Sequence, residues 1–291
     1  MVQMINNCPI CDAKTKNTLP RYVKNYLVRC KNCSFVFSER KPTTEELEDV
    51  YGRYNYEGAE ATAATLEKKY KIAKYLLQLS GGGNGAVLDI GCGKGEWLDA
   101  FKRLGWHTFG TEFNRDLAQF ADSKGHKMLD GGLFPIHPED KKFDLIIFTE
   151  VIEHIQNPVE VLRHLNSLLN QGGLIFITTP NFQTIERFLL GRTWGIICYP
   201  EHLTYFTPKT LNRALAYAGY SKVNIYTENI SIFRIAQGFG FSRQTQVAMS
   251  DQAQAAAARN KVIYFIKWCV NKIISSLDLG VSLVAIYRKS S

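Results

Sequence analysis

The chain has 291 residues, 45% of them hydrophobic, which is enough apolar material for a domain-sized core with a small appendage. No uninterrupted apolar run reaches the roughly 18–20 residues that a membrane span needs. Met1-Val-Gln-Met-Ile5 runs straight into Asn6-Asn-Cys8 without a signal-peptide pattern, so a cytoplasmic, soluble protein is expected.

The net charge of +8 is uneven. Residues 1–41 and 232–291 each hold eight Lys/Arg against two acids, so the middle carries 8 − 12 = −4. Such basic ends are either solvated surface or a face toward an anionic partner such as a nucleotide diphosphate, a lipid phosphate or RNA.

At the N-terminus, Cys8-Pro-Ile-Cys11 and Cys30-Lys-Asn-Cys33 form two C-x2-C knuckles separated by eighteen residues. Four thiolates at this spacing suit a closed, tetrahedral structural Zn²⁺ site of the zinc-ribbon type. Two disulfides are the alternative, and they are disfavoured in a cytosolic chain. Alternating residues over Tyr26–Cys30 and Ser34–Ser38 predict short strands around the second knuckle. Thr43 or Thr44 caps the helix that follows, with Glu45 and Glu46 in its first turn. Next come Tyr51, Tyr54 and Tyr56, a helix over residues 62–79, and a flexible Ser80-Gly-Gly-Gly-Asn-Gly85 joint. These features divide the chain into a ribbon (1–41), a helical lead-in (42–85) and a main domain (86–291) with an insertion at 232–280.

The main domain opens with Ala86-Val-Leu-Asp-Ile-Gly-Cys-Gly-Lys-Gly95 and an amphipathic segment from Glu96 to Leu104, a strand–turn–helix pattern. Gly91, Gly93 and Gly95 allow close backbone approach to a ligand, and the helix start is aimed at it. Asp89 disfavours a phosphate beside the turn and favours an ammonium group, a charge that S-adenosylmethionine (SAM) carries. Thr108 to Phe113 is a second strand ending at Glu112, which lies 23 positions after Asp89, where nucleotide folds place a carboxylate against ribose hydroxyls. Lys127–Asp130 is a weak third strand, and Phe143–Thr149 is a buried fourth strand leading into Glu150-Val-Ile-Glu-His154. A helix from Asn157-Pro158, a fifth strand over 172–179, a helix capped by Thr207 and a sixth strand over 221–228 follow. The insertion contains an Ala-rich helix and a lysine-punctuated apolar stretch. These fit packing over the active site, a second subunit in a homodimer, or a membrane surface. A last strand over 281–288 closes the sheet.

The Asp-x-Gly-x-Gly-x-Gly turn after an apolar strand resembles that of the class I SAM-dependent methyltransferases, over roughly residues 62–288. The nearer likeness is to the ubiquinone- and sugar-methyltransferase-like branch that carries an N-terminal zinc ribbon. The resemblance implies an α/β, Rossmann-like seven-stranded sheet in the order 3-2-1-4-5-7-6 with the last strand antiparallel. It further implies SAM contacts from Asp89, Gly91, Cys92, Gly93, Gly95, Glu112, Phe113 beside the adenine, Asp130 and Thr149. Tyr54 and Tyr56 would lie over the cofactor, or else pack the lead-in against the core.

Methyl transfer from a sulfonium is an in-line displacement, and a hydroxyl acceptor must also lose its proton to a base or to a metal-assisted site. Glu150-x2-Glu153-His154 matches the Glu-x2-Glu-His pattern of the ubiquinone O-methyltransferases, where those residues hold Mg²⁺. By that likeness Glu150, Glu153 and His154 are candidate Mg²⁺ ligands. Without a metal, His154 is a candidate base, or a cap for the next helix. His202, in the Pro200–Pro208 loop, is a second candidate base, and Trp194 and Tyr205 either stack on an acceptor ring or pack in the core. The other histidines receive no role. An Asn/Asp-Pro-Pro-aromatic motif, expected after the fourth strand in nucleic-acid amino-methyltransferases, is absent. A small-molecule acceptor is therefore expected, a sugar or sugar nucleotide first and a quinone-type phenol second. An rRNA methyltransferase and a non-catalytic SAM-binding scaffold are the remaining alternatives.

Overall fold

The computed structural model describes residues 3–52, 61–129, 141–229 and 272–290. At the N-terminus β1 (Lys16–Thr18), β2 (Leu27–Cys30) and β3 (Val36–Ser38) form an antiparallel meander. The helix α1 (Thr44–Gly52) begins at a reciprocal cap. The Thr43 hydroxyl accepts from the Glu46 amide at 3.2 Å, and the Thr43 amide donates to the Glu46 carboxylate at 3.0 Å. The helix α2 (Ala63–Leu79) is capped by Thr62.

The main sheet is built from β4 (Ala86–Ile90), β5 (His107–Thr111), β6 (Lys127–Met128), β7 (Phe143–Thr149) and β8 (Leu169–Pro180). Joining them are α3 (Glu96–Arg103), α4 (Arg115–Ser123) and α5 (Pro158–Leu168). After β8 come α6 (Ile185–Leu190), the two-residue β9 (Thr204–Tyr205), α7 (Pro208–Tyr217), β10 (Tyr220–Glu228) and β11 (Ser282–Lys289). The strand order is β6-β5-β4-β7-β8-β11-β10, with β11 antiparallel to both of its neighbours. This is the 3-2-1-4-5-7-6 order expected from the sequence.

Alternation along the strands divides the core into two faces. Leu88, Ile146, Phe148 and Ile175 pack toward α5 and α7, whereas Val87, Leu145, Ile147 and Leu174 pack toward α2 and α3. The first of these clusters also contains Val28, Phe35 and Phe37, so the apolar interior of the N-terminal meander is continuous with that of the large sheet. The meander takes its fourth strand, β9, from the far side of the chain, pairing Val36 with Tyr205 and Phe37 with Thr204. Residues 1–41 are therefore no self-contained ribbon sheet. Most of the insertion proposed at 232–280 falls outside the described residues; of it, residues 272–276 form a helical turn that leads toward β11.

Leu88 is fully buried in the middle of the sheet. Leu88→Ala should lower stability by about 2–5 kcal/mol, read as a shift of the urea midpoint at unchanged slope.

Candidate active site

The sheet delivers its chemistry at the carboxyl ends of β4, β5 and β7, as open α/β sheets do. Past Ile90 the chain turns through Gly91, Gly93 and Gly95 with φ of +70°, +53° and +78°, a region that suits glycine and strains other residues. Space adds a second requirement: a Cβ on Gly91 would lie 3.1 Å from Val151, and one on Gly95 would lie 3.0 Å from His126. Cys92 is buried in this turn, its sulfur against Gly110, where a Cβ would come within 2.9 Å. Burial pushes its thiol well above the ordinary range, as befits a small packing residue and not a nucleophile.

Glu112 braces the turn from β5. Its carboxylate accepts the Gly93 amide at 2.9 Å and the Asn114 amide at 2.8 Å. Behind the turn, Lys124 donates to the Lys94 carbonyl at 2.8 Å and to Asp99 at 2.7 Å, and buried His126 bridges Thr108 and Asp99. The sequence offered no sign of this bracing by Lys124 and His126, because the residues converge only in the fold. Phe113, expected beside an adenine, is 84% exposed.

Asp89 is the exceptional group. It is completely buried, and neither carboxylate oxygen has a hydrogen-bond partner among the described residues. Burial raises its pKa to about 8, against the pull of the Lys69 ammonium and with added repulsion from Glu112 and Glu96. A carboxyl group buried without a donor stays protonated at neutral pH unless a cation is brought to it. Lys69 itself is committed elsewhere, ion-paired to Glu96 with its ammonium 5.5 Å from the Trp97 ring centre. Lys69, Trp97, Thr149, Glu150, Thr178 and Glu228 line a cleft of about 340 Å³ beside the turn.

At the end of β7, Glu150 takes φ +53° and its carboxylate accepts the Thr178 hydroxyl at 2.7 Å. Glu153 lies behind it, buried, and accepts from Thr179 at 2.9 Å. Burial, reinforced by the Glu150 charge, raises its pKa well above the ordinary carboxylate range. His154 donates from Nδ1 to the Glu201 carbonyl at 3.0 Å, and Asn157, not His154, occupies the cap position of α5. Burial and the neighbouring His202 lower the His154 pKa to about 4. His202 donates from Nδ1 to the Ile196 carbonyl at 2.8 Å, and the two imidazoles meet edge to face at 4.8 Å.

One donor atom each from Glu153, His154 and His202 falls within 4.8 Å of the others. This set exchanges Glu150 of the expected trio for His202. The substitution was hidden in the sequence because His202 reaches the site through a separate loop. Trp194 and Tyr205 are core aromatics, both buried. Asp130, Tyr54 and Tyr56 lie outside the described residues.

In the N-terminal meander Cys8, Cys11, Cys30 and Cys33 converge, with Cys8–Cys33 and Cys11–Cys30 sulfurs 3.5 and 3.6 Å apart. These separations exceed the 2.05 Å of a disulfide and approach the ~3.8 Å edge of a tetrahedron with Zn–S bonds of about 2.3 Å. The Cys33 thiol is lowered to about 5 by the Cys8 S–H beside it, so the cluster is already poised to present a thiolate.

With this geometry established, residues 65–225, more than half of the chain, match the family model described as a methyltransferase domain. The ubiquinone biosynthesis O-methyltransferase of Bradyrhizobium sp. is 33% identical over 163 residues, covering 52% of this chain and 63% of that protein. The mitochondrial ubiquinone biosynthesis O-methyltransferase of Saccharomyces cerevisiae is 34% identical over 112 residues, 35% of this chain and 36% of that one. The chain thus spans less than two thirds of these curated relatives. The crystal structure of a SAM-dependent methyltransferase from Archaeoglobus fulgidus shares the fold with a TM-score of 0.52 at 21% identity, covering 85% of this chain and all of that one. The chain belongs to the methyltransferase-domain family and carries a class I SAM-dependent methyltransferase domain.

Proposed function

We propose that the protein transfers the methyl group of SAM to a hydroxyl on a small acceptor, with a quinone-type phenol ahead of the sugar expected from the sequence. The observation that carries this reading is the convergence of buried Glu153 with the half-buried His154 and His202 after β7. The curated relatives, named for O-methylation in ubiquinone biosynthesis, support the phenol. So does the chemistry of the site: a phenol, with a pKa near that of tyrosine at about 10, gives its proton to an imidazole far more readily than an aliphatic hydroxyl does.

In this reading Asp89 receives the SAM ammonium, the Gly91–Gly95 turn admits the methionine end, and Glu112 keeps lone pairs for ribose hydroxyls. Thr149 lines the cleft where the methyl group would point. Two imidazoles and one carboxylate suit a first-row transition ion better than the Mg²⁺ expected from the sequence. Such an ion would contribute Lewis acidity at the acceptor oxygen. The protein's own part is positional. The Nδ1–H bonds to Glu201 and Ile196 fix the two imidazole tautomers, so each Nε2 lone pair would face the ion, and with no ion bound His202 Nε2 accepts the hydroxyl proton. The four cysteines hold a structural Zn²⁺ in a ribbon, and residues 42–85 lead into the catalytic domain from 86 onward. No helix among the described residues is long and apolar enough to cross a membrane.

Two measurements test this reading. First, SAM affinity should rise as pH approaches about 8 and fall above it, because the ligand's ammonium selects the ionised form of Asp89 and itself loses its proton at about pH 8. Calorimetry at pH 7 in buffers of different ionisation enthalpy should register proton release. Asp89→Asn should abolish that release and weaken binding by about 10–100-fold, the value of a charged hydrogen bond; unchanged affinity would refute the role of Asp89. Second, with SAM saturating, a catechol-type phenol should be methylated in preference to a panel of sugar nucleotides. His202→Ala should then slow turnover by about 10²–10⁴-fold at unchanged SAM affinity. Methylation of a sugar nucleotide alone would reverse the order of acceptors.

A further inference from the structure

The loop that carries His202 owes its position to the cysteine-bearing meander. On one side Ser38 donates its amide to the Leu203 carbonyl at 2.7 Å, and β9 pairs with β3 through Thr204 and Tyr205. On the other side Leu203 donates to the Glu153 carbonyl at 2.8 Å, and the Thr204 hydroxyl donates to the Ile152 carbonyl at 3.0 Å. The segment is thus clamped between β3 and the turn that holds Glu153 and His154. β9 has two residues, and among the described residues β3 is the one strand it pairs with, while the next residue, Phe206, makes a single bridge to Asn181 past the end of β8. A strand that short does not hold itself in place.

β3 in turn begins three residues after Cys33. The knuckle and the strand are tied by the Cys30 amide on the Phe35 carbonyl at 2.9 Å and the Ser34 amide on the Cys30 carbonyl at 3.0 Å. Phe35 then stacks with Phe37 and packs on Phe206, with ring centres at 5.9 and 5.0 Å. A second tie sits nearby, where Arg40 lies over the Tyr26 and Tyr199 rings and pairs with Glu46, which also accepts the Tyr199 hydroxyl. By contrast the cofactor turn is held by β4, β5, Glu112 and Lys124, none of which touches this meander through a hydrogen bond or ion pair described above. A meander of about 40 residues lies at the size where a metal commonly supplies the missing stability.

We infer that β3 is a positioning element of the acceptor side, and that metal in the four-cysteine centre places the His202 loop against His154 while leaving the SAM side intact. This rests on the zinc reading proposed above. Divalent-metal supply would accordingly gate acceptor chemistry without gating cofactor binding.

The test uses the full chain, no acceptor, and zinc as the probe. Zinc content is assayed, SAM affinity is measured by calorimetry, and the imidazole signals are followed by NMR on histidine-labelled protein, before and after chelation and after zinc is restored. Chelation should displace the His154 and His202 signals and restoration should return them; Cys11→Ser, which disables the four-cysteine centre and leaves Glu153, His154 and His202 in place, should displace the same signals whether or not zinc is added. The His126 signal should stay in place and SAM affinity should change by less than about threefold, as for distant, independent sites. Phe206→Leu, which keeps all four cysteines, should displace the same two signals at full zinc content. Four results would overturn the inference: unmoved His154 and His202 signals in metal-free protein; loss of SAM binding and the His126 signal together with them; Phe206→Leu with neither signal displaced at full zinc content; or a chain isolated without metal whose imidazole signals are unaffected by added zinc, which would remove the zinc premise itself. The SAM calorimetry in the same experiment keeps these outcomes separate from a failure of the methyltransferase reading.

Discussion

A carboxyl group buried at the end of the central strand, with no donor to satisfy it, is the constraint around which the cofactor side is arranged. Asp89 sits where the sheet is driest, and the chain spends no lysine or amide on it. Lys69, the cation that lowers its pKa, is engaged with Glu96 and Trp97. Supplying an internal partner would stabilise the free protein but would compete with a cationic ligand. The unsatisfied group is therefore a reservoir of binding energy that a ligand of the right charge can use, in the sense that binding sites are less stable than cores. The rest of the turn is over-determined: Glu112, Lys124, Asp99 and His126 hold it from three sides.

The acceptor side is organised differently. There the polar groups come from three places: the turn after β7, the end of β8 and the loop before α7. Each imidazole is fixed by one backbone carbonyl, and the buried carboxyl group of Glu153 is fixed by one hydroxyl. No single element supplies the cluster, and the loop that brings His202 to it pairs with β3 through β9. A domain of this fold with a plain loop in that place would have its fourth-strand residues and no partner imidazole beside them. The meander thus contributes to the catalytic body through its core as well as through its strand, since Phe35 and Phe37 share one apolar cluster with Leu162, Leu211 and Phe206.

Much of this was legible in the chain. Period-two and period-3.6 patterns located the strands of the main sheet, and the apolar run into Asp89 and three glycines located the cofactor turn. The four cysteines could be read from spacing alone because metal sites of this kind are built from local knuckles. The place of Glu112 at the end of the second strand was legible for the same reason, since it follows from the length of one βαβ unit. The bracing by Lys124 and His126, the burial of Trp194 and Tyr205, and the partnership of His154 with His202 were not legible. Each depends on which residues from distant segments share a face, and periodicity carries no information about that.

The sequence by itself therefore determined the class of fold, the strand order through its family likeness, the cofactor turn and the cysteine cluster. All of these are encoded over short stretches in which backbone geometry and side-chain type act together. Only the tertiary structure decided that Asp89 is left without a partner, that His202 takes the place of Glu150 beside Glu153 and His154, and that the N-terminal meander completes its sheet with a strand from the active-site loop. Those are consequences of long-range packing, in which a two-residue strand pairs with an edge more than 160 residues away in the chain.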